Sequence, residues 1–387
     1  MKNFEYYAPT KVFFGKGNEE KIGEIVKSYG YKNVLLHYGK GSVIKSGLLD
    51  IVKNRLSENG ISYVELGGVE PNPKLGLVQE GAALVKRENI DFILSVGGGS
   101  VIDSAKAIAL SVANDADAWD IITKKAEATK GFPIGVILTI AAAGSEMSNS
   151  MVITNPDGML KRGFGTNLNR PVFAVMNPAL TCSVSKFQTG CGIVDIMMHT
   201  LERYFVLEPD NELTDRLAEA LLVSVKNAGK TAIENPDDYE ARATLMWASS
   251  LSHNDLTGCG KAYNFTVHML EHEISGMFDR VPHGAGLAIL YPAWAKYVYK
   301  YHVEKFAQLA ARVWGVECET PEETALAGIH AAEEYFRSIG MPTRLSEFDI
   351  HEDSFEEMAK KCTKHRPLYD GVPISDEHIV NIFKLAK

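Results

Sequence analysis

Asp195 and His199 stand four residues apart in Gly192-Ile193-Val194-Asp195-Ile196-Met197-Met198-His199, a stretch of helical character. Positions i and i+4 share a helix face with Cβ atoms about 5–6 Å apart, so a carboxylate and an imidazole there can reach one ion. His268 and His272 repeat the spacing in Val267-His268-Met269-Leu270-Glu271-His272, and His283 follows in Pro282-His283-Gly284. One Asp–His pair by itself reads as a hydrogen-bonded or solvated pair, and one buried histidine as a satisfied interface residue. Two such segments in apolar surroundings move the reading toward a metal site, because burying several imidazoles without partners is costly. A His/carboxylate set admits Fe(II), Zn(II) and similar ions, and spacing does not choose among them.

A second kind of chemistry is suggested by Ser95-Val96-Gly97-Gly98-Gly99-Ser100-Val101-Ile102-Asp103, which closes an apolar strand and opens a helix. Three glycines let a ligand approach the backbone, and the helix start offers free N–H groups and its positive end, which suits a pyrophosphate. The same residues also read as a tight strand–helix turn with Ser100 as cap and Asp103 in the first turn. Gly39-Lys40-Gly41-Ser42 is a second turn of this type. It lacks the third glycine of G-x-G-x-x-G, since position 44 is Ile44. Gly229-Lys230-Thr231 ends like a Walker A loop, but its upstream glycine position holds Ser224, which argues against P-loop chemistry.

These residues need elements to position them. Runs at 34–38, 62–66, 92–96 and 134–138 are apolar, β-branched and bounded by Gly, Asn or Pro, and predict strands. Helical periodicity occupies 43–58, 74–87 and 100–113 between them, and the alternation predicts βαβ units and a parallel sheet. Beyond about residue 186 the pattern turns helical, at 211–228, 238–256, 261–277, 303–315 and 321–338. In the first of these, Leu213, Leu217, Leu221 and Val225 fall on one face. The expectation is an α/β N-terminal domain over 1–185 and an all-helical C-terminal domain over 186–387.

The 387 residues carry 40 Lys+Arg against 49 Asp+Glu, a net charge of -9, with 45% hydrophobic residues. That apolar fraction excludes a disordered chain, and the acidic balance disfavours a general nucleic-acid or anionic-membrane binder. The 5 cysteines show no CxxC pair, so neither a zinc ribbon nor a disulfide framework is expected. The start, Met1-Lys2-Asn3-Phe4-Glu5-Tyr6, has no apolar core of a signal peptide, and no stretch reads as a membrane span. A soluble, cytoplasmic protein is expected.

Taken in order, the glycine turn, Asp-x3-His, His-x3-His and Pro-His-Gly resemble the iron-containing (group III) alcohol dehydrogenase family, in its butanol dehydrogenase and NADPH-dependent aldehyde reductase branch. Supporting stretches are Tyr38-Gly39-Lys40-Gly41-Ser42-Val43, Gly67-Gly68-Val69-Glu70-Pro71-Asn72-Pro73 and Gly144-Ser145-Glu146. The resemblance implies a Rossmann-like nucleotide-binding domain and an all-helical metal domain, the two-domain architecture of dehydroquinate synthase, with the active site in the cleft between them. It implies one divalent metal on Asp195, His199, His268 and His283, Fe(II) first, with Zn(II), Ni(II) and Co(II) admitted. His272 matches a further active-site histidine that assists substrate orientation or proton transfer. The implied pyrophosphate loop falls on Gly97, Gly98, Gly99, Ser100 and Asp103, and Asn72, Thr139, Ser148 and Lys161 match other cofactor contacts. A homodimer and a small aldehyde or alcohol substrate are implied as well, with neither nucleic acid nor membrane as partner.

Two departures matter. The family commonly reads Thr-Thr-Ala-Gly-Thr-Gly-Ser-Glu where this chain has Thr139-Ile140-Ala141-Ala142-Ala143-Gly144-Ser145-Glu146, so Ile140 and Ala143 replace two hydroxyls. NAD-preferring relatives carry an Asp after the first strand of the nucleotide domain, where this chain has Gly39, Lys40, Gly41 and Ser42. A cation and a hydroxyl suit a 2′-phosphate, so NADP(H) is expected over NAD(H). The implied reaction interconverts aldehydes and primary alcohols by hydride transfer. Polyol dehydrogenases of the same superfamily, a dehydroquinate synthase-type lyase and a non-enzymatic nucleotide or metal sensor are the competing readings.

Overall fold

The computed structural model describes residues 1–206 and 211–387. The chain divides into two compact units, Tyr7–Ser183 and Val184–Lys387, with Met1–Tyr6 packed on the second, where the Lys2 N–H donates to the Gly260 carbonyl at 3.0 Å.

The first unit is a six-stranded parallel sheet in the order β1-β8-β5-β4-β2-β3, accompanied by a separate antiparallel β6–β7 hairpin. Its strands are β1 (Lys11–Phe14), β2 (Asn33–Gly39), β3 (Ser62–Val69), β4 (Phe92–Gly97), β5 (Ile134–Leu138), β6 (Ser150–Asn155), β7 (Leu160–Gly165) and β8 (Phe173–Met176). Its helices are α1 (Ile22–Ser28), α2 (Ser42–Lys45), α3 (Leu48–Glu58), α4 (Leu75–Arg87), α5 (Gly99–Asn114) and α6 (Ala118–Ile122). β4 and β5 are buried along their whole length, as strands covered on both faces must be. Their side chains alternate between two cores. Leu35 and Ile93 join Ala105 and Ile108 on one face, while Val34, Leu36, Phe92 and Leu94 join Phe173 on the other.

The four expected strands are present, and two expectations change. The single helix over 43–58 is two, because Gly47 adopts φ +76 between α2 and α3. The hairpin β6–β7, which carries Lys161, has no counterpart in the sequence reading, since its alternation is broken by Asn155, Asp157 and Gly158.

The second unit is helical apart from a two-residue strand pair, β9 (Leu368–Tyr369) with β10 (Pro373–Ile374). Its helices are α7 (Lys186–Tyr204), α8 (Glu212–Glu234), α9 (Tyr239–His253), α10 (Thr266–Met277), α11 (His283–Val298), α12 (Val303–Leu309), α13 (Pro321–Ser338), α14 (Phe355–His365) and α15 (Asp376–Leu385). α7 starts where the Ser185 hydroxyl accepts the Gln188 N–H at 3.2 Å, and it is buried from Thr189 to Tyr204. α11 is buried over nearly its full length, so it has no polar stripe and no periodicity to announce it.

One helical face is corrected. Leu213 and Leu217 at the start of α8 are 68% and 40% exposed. That end buries Asp215 and Glu219 instead, held by Lys261 at 2.6 Å, by Lys305 and by Arg312 at 3.1 Å. A paired and hydrogen-bonded carboxylate can be buried in place of a leucine, which a hydrophobic period does not register.

Candidate metal and cofactor sites

The candidate metal ligands all lie in the second unit. Asp195 and His199 sit one turn apart on α7, His268 and His272 one turn apart on α10, and His283 opens α11. Asp195 Oδ1 lies 3.3 Å from His199 Nδ1, 3.6 Å from His268 Nε2 and 3.8 Å from His283 Nε2. Ligands about 2.1 Å from a tetrahedral ion stand about 3.4 Å apart, so the mutually close donors of Asp195, His199 and His268 fit a shared ion, with His283 Nε2 beside Asp195. Asp195 Oδ1, His199 Nδ1 and His268 Nε2 are buried and have no hydrogen-bond partner among the described residues, which is costly unless a cation satisfies them. Asp195, His199 and His268 are nearly closed off, while the His283 side chain keeps 27% of its surface exposed. A closed back and one accessible side is the form of a site that admits a further ligand.

Two carboxylates missed by the sequence reading back the imidazoles. Glu202 is hydrogen-bonded to His268 Nδ1 and accepts the Val267 N–H at 2.6 Å, while Glu271 is hydrogen-bonded to His283 Nδ1. Such partners fix the ring and its tautomer, leaving Nε2 for a metal. Glu202 could have been found, because it follows His199 by three on the same helix face. Burial disfavours a proton on His268, yet Glu202 and Asp195 outweigh it and push the ring up to about 9. His199 is held well below its ordinary value by burial and by His253, His268, Arg203 and His283. One position in the cluster thus attracts positive charge beside a neutral imidazole lone pair.

Close backbone packing brings α11 into place. A Cβ on Gly284 would lie 2.2 Å from the Cys191 carbonyl oxygen, and one on Gly286 would lie 2.8 Å from Glu271 Cγ. Glycine at 284 therefore seats α11 against α7 one turn before Asp195, and glycine at 286 leaves room for Glu271. His272 is buried with its ring 5.8 Å from that of His283. A second group of potential ligands, Glu271, His272 and His283, contains the histidine that approaches Asp195 Oδ1 to 3.8 Å. Glu271 is already committed to His283 Nδ1, so this group supports the first site. The Cys191 thiol is pushed up to about 12 by burial, far from a thiolate ligand, and all five cysteines are free.

The candidate cofactor-binding turns lie in the first unit. β2 leads to β3 on one side and β4 to β5 on the other, so the connections part between β2 and β4, where open α/β sheets bind ligands beyond the strand ends. Tyr38 and Val96 are in register, which starts the turns Gly39–Ser42 and Gly97–Ser100 side by side. The 16-residue helix α5 begins at Gly99, and its first N–H groups have no intrahelical acceptor. This arrangement fits a dinucleotide. The glycines have an internal reason too: a Cβ on Gly98 would meet Ile140 at 2.3 Å and one on Gly99 would meet Ala143 at 3.0 Å. The two residues that replace family hydroxyls thus pack against the turn. Thr139 is tied to it through its N–H to the Gly97 carbonyl at 3.1 Å, and Asn72 is buried in a left-handed conformation with φ +54.

Asp103 and Ser148, both expected at the cofactor, also brace the turn from within. The Asp103 carboxylate accepts from Ser145 Oγ at 2.6 Å and from the Val152 N–H at 2.9 Å. Ser148 is fully buried and accepts from Lys106 Nζ at 3.2 Å. Lys106 itself was missed. It is fully buried on α5 and also donates to Ser145 Oγ at 3.0 Å and to the carbonyls of Ser148 at 3.0 Å and Ser150 at 2.7 Å. Burial pulls its ammonium down to about 8, against the opposing pull of Asp103 and Glu146. Its signal was the Asp103-x-x-Lys106 spacing on one helix face. Burial raises the Asp103 carboxyl while Lys106 and the nearby Lys161, itself buried on β7, lower it.

Comparison with known proteins gives this geometry its class. The family model for iron-containing alcohol dehydrogenase matches residues 9–178, and the C-terminal model of the Fe-containing alcohol dehydrogenase family matches residues 189–387. The chain is 43% identical to NADH-dependent butanol dehydrogenase A of Clostridium acetobutylicum, over 99% of each protein. It is 35% identical to the NADPH-dependent aldehyde reductase YqhD of Escherichia coli, over 94% of each. Among solved structures, NADH-dependent butanol dehydrogenase A of Thermotoga maritima superposes with a TM-score of 0.96 at 37% identity, covering 100% of this chain and 99% of that one. The chain belongs to the iron-containing alcohol dehydrogenase family, and is an oxidoreductase acting on CH–OH groups with a nicotinamide nucleotide and a metal. No helix among the described residues is long and apolar enough to cross a membrane.

Proposed function

We propose that this enzyme reduces small aldehydes to primary alcohols, and runs the reverse oxidation, with one divalent metal on Asp195, His199, His268 and His283. The observation that carries the reading is the convergence of donor atoms on Asp195 Oδ1, which like His199 Nδ1 and His268 Nε2 is buried and lacks a hydrogen-bond partner among the described residues. Relatives named for butanol dehydrogenation and for NADPH-dependent aldehyde reduction support the substrate class. Fe(II) is the ion we assign, and Zn(II), Ni(II) or Co(II) would satisfy the same donors. When bound, the nicotinamide supplies the hydride and the ion polarises the carbonyl oxygen.

The chain's own groups do the rest. Asp195 contributes negative charge, and Glu202 and Glu271 hold the His268 and His283 rings with Nε2 directed inward. His272, one turn beyond His268, relays the proton that the alcohol oxygen gains or loses, a task an imidazole suits near neutral pH. Residues 1–185 act as the nucleotide-binding domain, through Gly39–Ser42, Asn72, Gly97–Ser100, Thr139 and Lys161, and residues 186–387 as the metal-binding and catalytic domain. NADP(H) is preferred over NAD(H), because the turn after β2 offers Lys40 and Ser42 and no carboxylate; relatives named for each nucleotide leave this choice to the turn. β1 lies at a sheet edge with Phe14 39% exposed, which supports homodimer formation on that side. We place the enzyme in the cytoplasm, where its free cysteines remain reduced.

The test is metal analysis of the purified protein together with oxidation of NADPH and NADH by straight-chain aldehydes from acetaldehyde to octanal. The expected result is one ion per chain, turnover that requires aldehyde, and a higher kcat/KM with NADPH. Absence of aldehyde-dependent oxidation in metal-replete protein would overturn the reaction, and a higher kcat/KM with NADH would overturn the nucleotide preference alone.

A further inference from the structure

Lys40 and Glu70 each follow the end of a strand, and the two strands are neighbours. β2 ends at Gly39 and β3 at Val69, and these two residues are in register. The next residue in each chain therefore stands across from the other, and Lys40 Nζ donates to Glu70 Oε1. Both side chains are open to solvent, with 64% and 43% of their surfaces exposed. A pair so exposed contributes little to stability, so its interest lies in its position. The nucleotide crevice opens between the ends of β2 and β4, with the pyrophosphate at the start of α5. In doubly wound sheets a carboxylate near this crevice takes the ribose 2′-hydroxyl of NAD, and a cation there takes the 2′-phosphate of NADP. This chain has both groups on the β2–β3 side, and each holds the other.

We propose that Glu70 is the residue that sets the NADP/NAD ratio, by competing with the 2′-phosphate for Lys40 and by offering an acceptor to a free 2′-hydroxyl. The inference rests on the reading that the 39–42 turn receives the adenosine ribose. With Glu70 in place, a 2′-phosphate must displace a carboxylate from Lys40 and lie beside its charge, which limits the preference for NADP(H). A 2′-hydroxyl has no such conflict and can donate to Glu70.

The test is direct binding, read by nucleotide fluorescence on the full-length protein without added metal. NADPH and NADH are titrated into wild type, Glu70→Gln and Lys40→Ala, with circular dichroism confirming that each exposed substitution leaves the fold intact. Glu70→Gln is expected to move the Kd ratio at least tenfold toward NADPH, and Lys40→Ala at least tenfold toward NADH. Added salt should reduce the first effect, because it acts through charge. A Kd ratio within threefold of wild type in Glu70→Gln would overturn the inference, and so would failure of wild type to bind either nucleotide. The wild-type ratio by itself reports on the NADP(H) preference, so a wild type that favours NADH and still shifts tenfold in Glu70→Gln would retain this inference and discard only that preference.

Discussion

Gly284→Ala places one methyl group where helix α11 meets α7, and its effect on the proposed metal site can be worked from distances. The new Cβ would lie 2.2 Å from the Cys191 carbonyl oxygen and 2.6 Å from its carbon and Cα, all of them backbone atoms with no rotamer to change. Ordinary contact requires about 3.4 Å, so the start of α11 must retreat by about 1.2 Å, at an overpacking cost of about 1–3 kcal/mol. His283 is the adjacent residue, and it would move with the helix. Its Nε2 now lies 3.8 Å from Asp195 Oδ1. Two ligands on one ion with bonds of about 2.1 Å can be at most about 4.2 Å apart, and the retreat opens this pair to about 5 Å. The variant should therefore lose His283 as a ligand and bind metal at least about a hundredfold more weakly. At an open helical position Gly→Ala would stabilise by about 1 kcal/mol, so the sign of the stability change separates crowding from helix propensity. The assay is competition for Zn(II) with a chromophoric chelator, alongside thermal unfolding of metal-free protein. Wild-type affinity in Gly284→Ala would refute the claim that this contact positions His283.

Glu202→Gln keeps a hydrogen-bond acceptor for His268 but removes its charge, and chelator competition should show a loss of metal affinity of about 10–100-fold. Lys106→Met removes four hydrogen bonds within one buried cluster and leaves Asp103 with one nearby cation, Lys161, instead of two, so denaturant unfolding should show a loss of about 3–5 kcal/mol, with weaker nucleotide binding from the loosened turn. His37 bridges β2 to β3 and α5 through the Leu66 carbonyl at 2.8 Å and Ser104 Oγ at 2.9 Å, and burial pulls it down to about 4. Because the unfolded chain binds this proton more readily, the contribution is complete above about pH 6.5 and is lost as pH falls toward 4, at up to about 1.4 kcal/mol per pH unit. Urea midpoints compared between wild type and His37→Gln across that window should show the steeper decline only in wild type.

The parts of the site that were legible in the sequence are those made by local geometry. Asp195 with His199, and His268 with His272, announce themselves because four residues of helix bring two side chains to one face. The glycine turns announce themselves because a strand end followed by a helix start has its own composition. What joins α10 and α11 to α7 is tertiary. The contact between Gly284 and Cys191 spans 93 positions, and no period in the chain encodes it. Glu271 was hidden, and Glu202 and Lys106 showed only a helical spacing, for a different reason: carboxylates and lysines usually face water, so burial against a specific partner is invisible until the fold is known. The same rule inverted the start of α8, where Leu213 is exposed and Asp215 buried. β1 and β8 were passed over because four-residue strands give too short a run to stand out, even where, as in Phe173–Met176, every residue is buried.

The most direct test of the account is a stoichiometric metal titration of activity. Chelator-stripped wild type and Asp195→Ala are reloaded with Fe(II) under anaerobic conditions, and NADPH oxidation by butanal is followed at each addition. Wild-type activity should rise from baseline in a straight line and level off at one ion per chain, while Asp195→Ala stays at baseline throughout. Full turnover in stripped wild type, or in metal-free Asp195→Ala, would contradict it.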